Sequence, residues 1–444
     1  MDCAYAIIHT MQSSLPFRFA LALLTGAALL GPCGGRAQQI IVTPDHADGV
    51  YETGQTIRWR VESIGETADS LRYTIKRGGL TEAGTGALAL TNGAAVIETK
   101  LDEPGTLLVE VSNASSKRRV GLSGAAVAPG KIKLAAERPA DFDAFWEAKV
   151  KELQAIPPNP KLEPGAGPAG VDYWKITMDN IHGSHIHGQI ARPQTGEKFP
   201  ALLIVQWAGV YPLQTNWVTS RAVKGWLALN IEAHDLPIDQ PASFYQDQSN
   251  GPLRGYPSIG NDDRETSYFL RMYLSCYRAA QYLSERPDWD GKTLVVMGDS
   301  QGGMQTLITA GMHPKITAGL ALVPAGCDLL GPVAGRRAGW PNWYDNVSGK
   351  DPAKVREASR YFDACNFAPR IKCPMLIGLG LIDETCPPAG VLAAANQITS
   401  HKEIVILPKS GHQNVRDSQA AFTRRKENAW LPALQLGQAP PVNQ

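Results

Sequence analysis

The stretch TLVVMGDSQGGMQTL, residues 293–307, decides the fold of this chain. Its first half, residues 294–296, is a run of apolar and β-branched residues that predicts a short buried strand, and its last residues have the apolar spacing of a helix. Between them lies Gly298-Asp299-Ser300-Gln301-Gly302, a G-x-S-x-G nucleophile elbow. A β-carbon at either glycine would clash with neighbouring backbone in so sharp a turn, which leaves the Ser300 hydroxyl exposed.

Length and composition limit what surrounds this elbow. A chain of 444 residues is long enough for a large catalytic domain and a smaller module. The net charge is +1 and the basic residues are scattered, so neither a nucleic-acid partner nor a membrane-surface partner is expected. Five cysteines follow residue 37, an odd and sparse number that does not indicate a disulfide framework.

The N-terminus has the pattern of a secretory signal peptide over residues 1–37. An apolar run at residues 19–30 is followed by Gly35-Arg36-Ala37, which predicts cleavage after Ala37 and export to the periplasm or the extracellular space. Lipidation of Cys33 is an alternative, but Pro32 stands where a small residue is needed. The run is short for a membrane span, so we expect no membrane anchor.

Residues 38–129 alternate between short strand-like runs and turns, which predicts a small antiparallel β-sandwich of the immunoglobulin-like type. The predicted strands cover residues 56–62, 71–76, 94–99, 106–111 and 119–127. No catalytic constellation lies in this module.

Residues 130–435 alternate between buried strands and helices, which predicts an α/β domain with a mostly parallel sheet. Helices are predicted at residues 141–153 and 265–284, an extended loop at 156–170, and a flexible tail at 436–444. Predicted strands cover residues 173–178, 184–191, 201–206, 226–231, 294–297, 319–323, 375–379 and 403–407.

A serine nucleophile needs a base and an orienting carboxylate, which in elbow-bearing hydrolases follow in the order Ser, acid, His. Asp383 comes after the strand MLIGLGL, and His412 comes after the strand EIVIL. Both side chains are therefore predicted at the same sheet edge as Ser300. Asp328, after the preceding strand, is an alternative acid, whereas Glu384 is expected to point elsewhere.

Acyl transfer also needs two backbone N–H groups that stabilise an oxyanion. One is predicted from Gln301, and the other from the loop after ALLIVQ, where we favour Ala208. Four residues are predicted to line the substrate pocket: Trp207, Tyr211, Trp217 and His234. The proline-rich and glycine-rich segment 235–263 is expected to overhang it.

The histidines in HGSHIHG have a spacing that resembles a metal site. On a strand, however, only His185 and His187 share a face, and we expect no acidic or cysteine ligand to accompany them. A polar strand face is therefore the preferred interpretation, and no metal or organic cofactor is expected.

Several motifs together resemble the acetyl xylan esterase / cephalosporin C deacetylase family, carbohydrate esterase family seven. They are PADFDAFW at residues 139–146, GDSQGG at 298–303, YFDACNFAPRIKCP at 361–374, LID at 381–383, CPP at 386–388 and Gly411-His412. The resemblance covers about residues 131–430. It implies an α/β-hydrolase that removes acetyl groups from sugars, with Ser300, Asp383 and His412 as its triad, and it favours Asp383 over Asp328.

The chain departs from this family in places. The family's Arg-Gly-Gln motif is replaced by Glu232-Ala233-His234-Asp235, and the Glu after the histidine by Gln413. We hypothesise that the missing cation and anion were partners, so that losing both avoids an unpaired buried charge. Shorter family members form ring-like hexamers, and the N-terminal module either permits or blocks such a homo-oligomer.

Three rival functions share parts of this pattern. A prolyl-oligopeptidase-like peptidase shares the elbow and the order of the triad, but about 90 residues are too few for its propeller domain. Another carbohydrate esterase would differ only in its pocket. A non-catalytic carbohydrate-binding or scaffold protein has no use for three triad residues in order.

Overall fold

A computed structural model describes residues 39–65 and 70–441. The predicted signal peptide, with Cys33, and the last three residues of the predicted tail lie outside the described residues. Within the described ranges, no helix combines the length and apolar character needed to cross a membrane. All five cysteines of this part are buried and unpaired, as the sequence indicated.

The N-terminal module is a β-sandwich with a three-stranded and a five-stranded sheet, in the orders β1-β3-β6 and β2-β8-β7-β4-β5. Its strands are β1 (Gln39–Pro44), β2 (Val50–Tyr51), β3 (Thr56–Ile64), β4 (Leu71–Arg77), β5 (Thr81–Leu88), β6 (Ala94–Lys100), β7 (Gly105–Asn113) and β8 (Arg119–Val127). Neighbouring strands are antiparallel except β2 and β8. Alternate residues of β3, namely Ile57, Trp59 and Val61, are fully buried between the sheets, which explains why this strand was predictable.

The second sheet has nine strands in the order β17-β16-β15-β14-β12-β13-β11-β10-β9. They are β9 (Lys161–Gly165), β10 (Val171–Asp179), β11 (His185–Pro193), β12 (Phe199–Ile204), β13 (Leu227–Ile231), β14 (Trp289–Asp299), β15 (Ala318–Leu322), β16 (Met375–Gly380) and β17 (Lys402–Leu407). Pairing is parallel from β13 to β17 and antiparallel from β9 to β13.

Helices cover both faces of this sheet. They are α1 (Phe142–Gln154), α2 (Asn216–Val223), α3 (Ala242–Asn250), α4 (Tyr268–Glu285), α5 (Gln301–Met312), α6 (Pro352–Ser359), α7 (Ala364–Phe367), α8 (Pro388–Gln397), α9 (Ala420–Arg425) and α10 (Leu431–Gln435). Along β14, Leu294 and Val296 pack in the core cluster that contains residues of α4 and α8, whereas Val295 and Met297 pack in the cluster that contains residues of α2. Because both faces are buried, the strand reads as a continuous apolar run, and the predicted fold class is confirmed.

Two segments for which no helix or strand was predicted contain regular structure. Within residues 156–170, strand β9 pairs with β10 at the edge of the sheet, although all five of its side chains are exposed. The prediction of a loop was therefore wrong here. The sequence KLEPG has no apolar alternation, so only the backbone pairing with β10 identifies it as a strand. Segment 235–263 contains α3 and a short 3₁₀ turn at Tyr256–Ser258.

Candidate active site

The elbow has the steric constraints that its glycines predict. A β-carbon on Gly298 would lie 2.7 Å from the carbonyl oxygens of Gly302 and Val205, and one on Gly302 would lie 2.5 Å from the same Val205 oxygen. Between them Ser300 has a positive φ of 58°, and its N–H donates to the carbonyl of Leu322 on the neighbouring strand. This left-handed backbone lifts the hydroxyl to the N-terminal end of α5.

The structure brings Ser300, His412 and Asp383 into one hydrogen-bonded chain. Ser300 Oγ lies 2.9 Å from His412 Nε2, and His412 Nδ1 lies 2.9 Å from Asp383 Oδ2. The other Asp383 oxygen accepts the N–H groups of Thr385 and Cys386, both at 2.8 Å. With an ionised Asp383 the neutral imidazole carries its proton on Nδ1, so Nε2 is free to accept the serine proton.

The alternative acid, Asp328, is engaged elsewhere. Its Oδ1 accepts the N–H of Ala135 at 2.9 Å, and its Oδ2 pairs with Arg336 Nε at 2.6 Å. Glu384 points away from His412, as expected, toward Arg119 and Arg337.

The loop after β12, which carries Ala208, is held by His234. The Nε2 atom of His234 lies 2.9 Å from the carbonyl oxygen of Gly209, and its Nδ1 lies 2.7 Å from the Tyr268 hydroxyl. Burial lowers the pKa of His234 to about 4, so the ring is neutral at pH 7, donates from Nε2 and accepts at Nδ1. His234 is completely buried, and the prediction that it lines the open pocket was therefore wrong.

A second buried contact reaches Gln301. The hydroxyl of Tyr256 donates to Gln301 Oε1, and Gln301 Nε2 donates to the carbonyl of Gln206 at 3.3 Å. The side chain of Gln301 thus ties the first turn of α5 to the end of β12, while its backbone N–H stays at the open N-terminus of the helix. Tyr256 belongs to segment 235–263, and no local pattern distinguishes it from other tyrosines of the chain.

Aromatic side chains stand beside the elbow. Trp207 is 44% exposed, stacks on Tyr211 with ring centroids 5.2 Å apart, and meets Trp217 edge-on at the same distance. A cavity of about 260 Å³ is lined by Trp207 and Trp217, by Gly298 and Asp299, and by Arg221 and Lys426. An exposed aromatic face next to polar groups is chemically suited to a sugar ring.

Glu232 brings a carboxyl group into the core beside this loop. It is 2% exposed, and its Oε2 has no hydrogen-bond partner among the described residues. Burial raises the pKa of Glu232 to about 8, against the N–H groups of Ala233 and His234, which lower it. Glu232 is therefore an ionisable group that burial keeps neutral at pH 7, whereas Gln413 is exposed to solvent.

The HGSHIHG histidines have acidic neighbours that the sequence did not reveal. His187 Nε2 lies 3.0 Å from Asp235 Oδ1, and His185 lies 3.8 Å from the same oxygen, so the expectation that no carboxylate accompanies them was wrong. Within the described part of the chain, the set of His, Cys and acidic side chains close enough to share one ion is Asp383, Cys386 and His412. Asp383 and His412 are already hydrogen-bonded to each other, and His412 is also hydrogen-bonded to Ser300.

The parallel sheet, the nucleophile elbow and the residues at its edge define an α/β-hydrolase. The sequence model of the acetyl xylan esterase (AXE1) family matches residues 131–433. Acetyl esterase Axe7A of Xylanibacter ruminicola is 32% identical over 387 residues, which cover 84% of this chain and 86% of the relative. The chain therefore belongs to the acetyl xylan esterase family and is a carboxylic ester hydrolase, as its motifs predicted.

Two solved structures have the same fold. Acetyl xylan esterase 1 of Thermoanaerobacterium sp. superposes with a TM-score of 0.57 at 22% identity, over 67% of this chain and 96% of that one. The acetyl xylan esterase of Paenibacillus sp. R4 has the same TM-score at 24% identity, over 68% of this chain and 98% of that one. Each of the two leaves about a third of the present chain unmatched.

Proposed function

We propose that this chain is an exported serine esterase that removes acetyl groups from acetylated sugars of the xylan or xylo-oligosaccharide type. The observation that carries the proposal is the hydrogen-bonded chain from Ser300 through His412 to Asp383. Family membership and the 32% identical acetyl esterase support the acetyl group, and the exposed face of Trp207 supports a sugar. Export rests on the signal-like sequence of residues 1–37.

The reaction takes two steps. His412 removes the Ser300 proton as Oγ attacks the acetyl carbonyl, and the buried Asp383 stabilises the imidazolium that forms. The imidazolium then protonates the departing sugar alcohol, which leaves an acetyl-enzyme on Ser300. In the second step His412 takes a proton from water, which attacks the acetyl-enzyme and releases acetate.

The oxyanion of each tetrahedral intermediate is stabilised by the Gln301 N–H and by one N–H from the loop after β12. Ala208 is the predicted second donor. The carbonyl of Gly209 is engaged by His234, so the N–H of Val210, in the same trans peptide unit, points the opposite way and is the alternative donor. Both groups lie in the loop that His234 holds.

The two catalytic rivals, a peptidase and another carbohydrate esterase, differ in what they cleave. The described N-terminal module is a sandwich of eight strands and not the propeller domain that prolyl-oligopeptidase-like peptidases carry. Another carbohydrate esterase would keep the same hydrogen-bonded chain and differ in the pocket, which makes substrate choice the quantity to measure.

Two experiments test the proposal. Ser300→Ala should lower kcat for a small aryl acetate on the order of 10⁴-fold or more, whereas Ser348→Ala, an exposed serine, should leave it unchanged. Acetylated xylan, acetylated mannan, acetylated chitin oligomers and longer acyl esters are then compared by mass analysis of the products. Cleavage of only long-chain esters or peptides contradicts the deacetylase assignment, and wild-type activity in Ser300→Ala contradicts the mechanism.

A further inference from the structure

The N-terminal sandwich contacts the loop that carries Asp383. Strand β8 places Arg119 next to Glu384, the residue after Asp383, with Nη2 2.7 Å from Oε2. Arg337, in the segment after β15, binds the other oxygen of this carboxylate at 3.0 Å. The Glu384 side chain is thus held from two sides, and one of them belongs to the N-terminal module.

Close contacts between the two parts of the chain lie at the same place. A β-carbon on Gly124 of β8 would lie 2.3 Å from the carbonyl oxygen of Leu381, and one on Gly49 would lie 2.5 Å from Leu381 Cδ1. Leu381 is 2% exposed and stands two residues before Asp383. Glycine at these two positions lets the sandwich approach the start of the loop directly.

The second arginine is itself anchored to the sandwich. The N–H of Arg337 donates to the carbonyl of Gly78 at 2.9 Å, in the turn between β4 and β5. Nearby, the Thr81 hydroxyl donates to the carbonyl of Gly335 at 2.8 Å. Of the two cations that hold Glu384, Arg119 therefore belongs to the N-terminal module and Arg337 is hydrogen-bonded to it through its backbone.

The charges at this contact favour an ionised Glu384. Burial would raise the pKa of Glu384, but the guanidinium groups of Arg119 and Arg337 outweigh it and hold the pKa below its ordinary value. A fixed carboxylate one residue away from Asp383 restricts the rotation of the backbone that presents Asp383 to His412.

We propose that the N-terminal sandwich positions the acid of the active site, and that Arg119 is the positioning residue that acts through Glu384. The inference rests on the proposed role of Asp383. Arg119 and Glu384 are partly exposed, and ion pairs of this kind contribute little to folding. Loss of the pair should therefore reduce kcat with little effect on Tm, because small displacements of a catalytic group are costly.

The test compares full-length variants on a small aryl acetate. Arg119→Ala should lower kcat about tenfold, with KM within about twofold of wild type, because the acid is displaced and the pocket is not. Arg119→Lys, which keeps one charge, should recover most of the loss. Glu384→Ala should lower kcat at least as far as Arg119→Ala, and the double variant no further than Glu384→Ala, since both arginines act through one carboxylate.

Arg58→Ala is the matched control. Arg58 is an exposed arginine of the same module, paired with Glu98 at 2.6 Å. Equal kcat in the Arg119→Ala and Arg58→Ala proteins overturns the proposal, as does full additivity of the two losses in the double variant. Ser300→Ala is assayed alongside to separate the two hypotheses. If Ser300→Ala retains activity, the proposed function is overturned. If Ser300→Ala is inactive and Arg119→Ala has the kcat of wild type, only the positioning role is overturned.

Discussion

The Nε2 atom of His234 lies 2.9 Å from the carbonyl oxygen of Gly209, and this contact orients the loop that follows β12. On its other side the ring accepts from Tyr268, whose hydroxyl in turn accepts from Arg271 at 2.9 Å. The Gly209–Val210 peptide unit is therefore held by a buried and neutral histidine.

Replacing His234 should reduce the rate of the chemical step. His234→Ala frees the Gly209 carbonyl, and we expect kcat to fall about 10- to 100-fold, because loss of one oxyanion donor costs about 10²–10³-fold. His234→Gln should recover part of the loss, since its amide can still donate to that carbonyl. His182→Ala, an exposed histidine, is the control. Wild-type kcat in a folded His234→Ala protein would exclude a positioning role.

Substitution by asparagine distinguishes the two candidates for the acid, Asp383 and Asp328. Asp383→Asn should lower kcat about 10⁴-fold with little change in KM, because an amide no longer holds His412 in the tautomer that accepts from Ser300. Asp328→Asn should retain kcat within about tenfold, since Asp328 pairs with Arg336 and not with His412. The reverse ranking in steady-state kinetics would make Asp328 the acid.

Glu232 should lower the free energy of unfolding as the pH rises from 4.5 to about 8. Below about pH 4.5 the carboxyl is protonated in the folded and the unfolded chain, so it has no effect on stability. Between pH 4.5 and about 8 the unfolded chain loses this proton while the folded chain keeps it, and stability declines over this window. Each unit of pKa shift corresponds to ~1.4 kcal/mol, so the full effect is on the order of a few kcal/mol.

Glu232→Gln removes the ionisation and is the variant to measure. Thermal unfolding should show a Tm a few degrees above wild type at pH 8 and little difference at pH 4. Glu52→Gln, an exposed glutamate, should change Tm equally little at both pH values. A Tm difference for Glu232→Gln that does not depend on pH would contradict this account.

Replacing Trp207 should raise KM for acetylated sugars more than KM for small esters. Trp207→Ala removes an exposed aromatic face, and stacking of this kind contributes about 1 kcal/mol, so KM for an acetylated xylo-oligosaccharide should rise about fivefold. KM for an aryl acetate should stay within about twofold. Val223→Ala, another exposed apolar residue, should alter neither value. An equal rise for both substrates would place Trp207 outside the sugar site.

Much of the site could be predicted because its signals are local. The elbow is a five-residue pattern whose glycines are required by clashes with adjacent backbone, and Asp383 and His412 each follow a short apolar strand in the expected order. The role of His234 could not be predicted, because its burial depends on how segment 235–263 covers the loop after β12. Asp235 beside the histidines of β11 was missed for the same reason, since 48 residues separate it from His187.

The sequence by itself determined the α/β class, the family and the three residues proposed for catalysis. Strand periodicity and glycine sterics are properties of short stretches of sequence, and the order of the three residues is read directly from the chain. Only the tertiary structure decided which groups surround these residues. A neutral His234 and a Glu232 with a raised pKa result from burial among residues distant in sequence. Arg119 and Glu384, which join the two modules, are 265 positions apart in the chain, a separation over which no local pattern carries information.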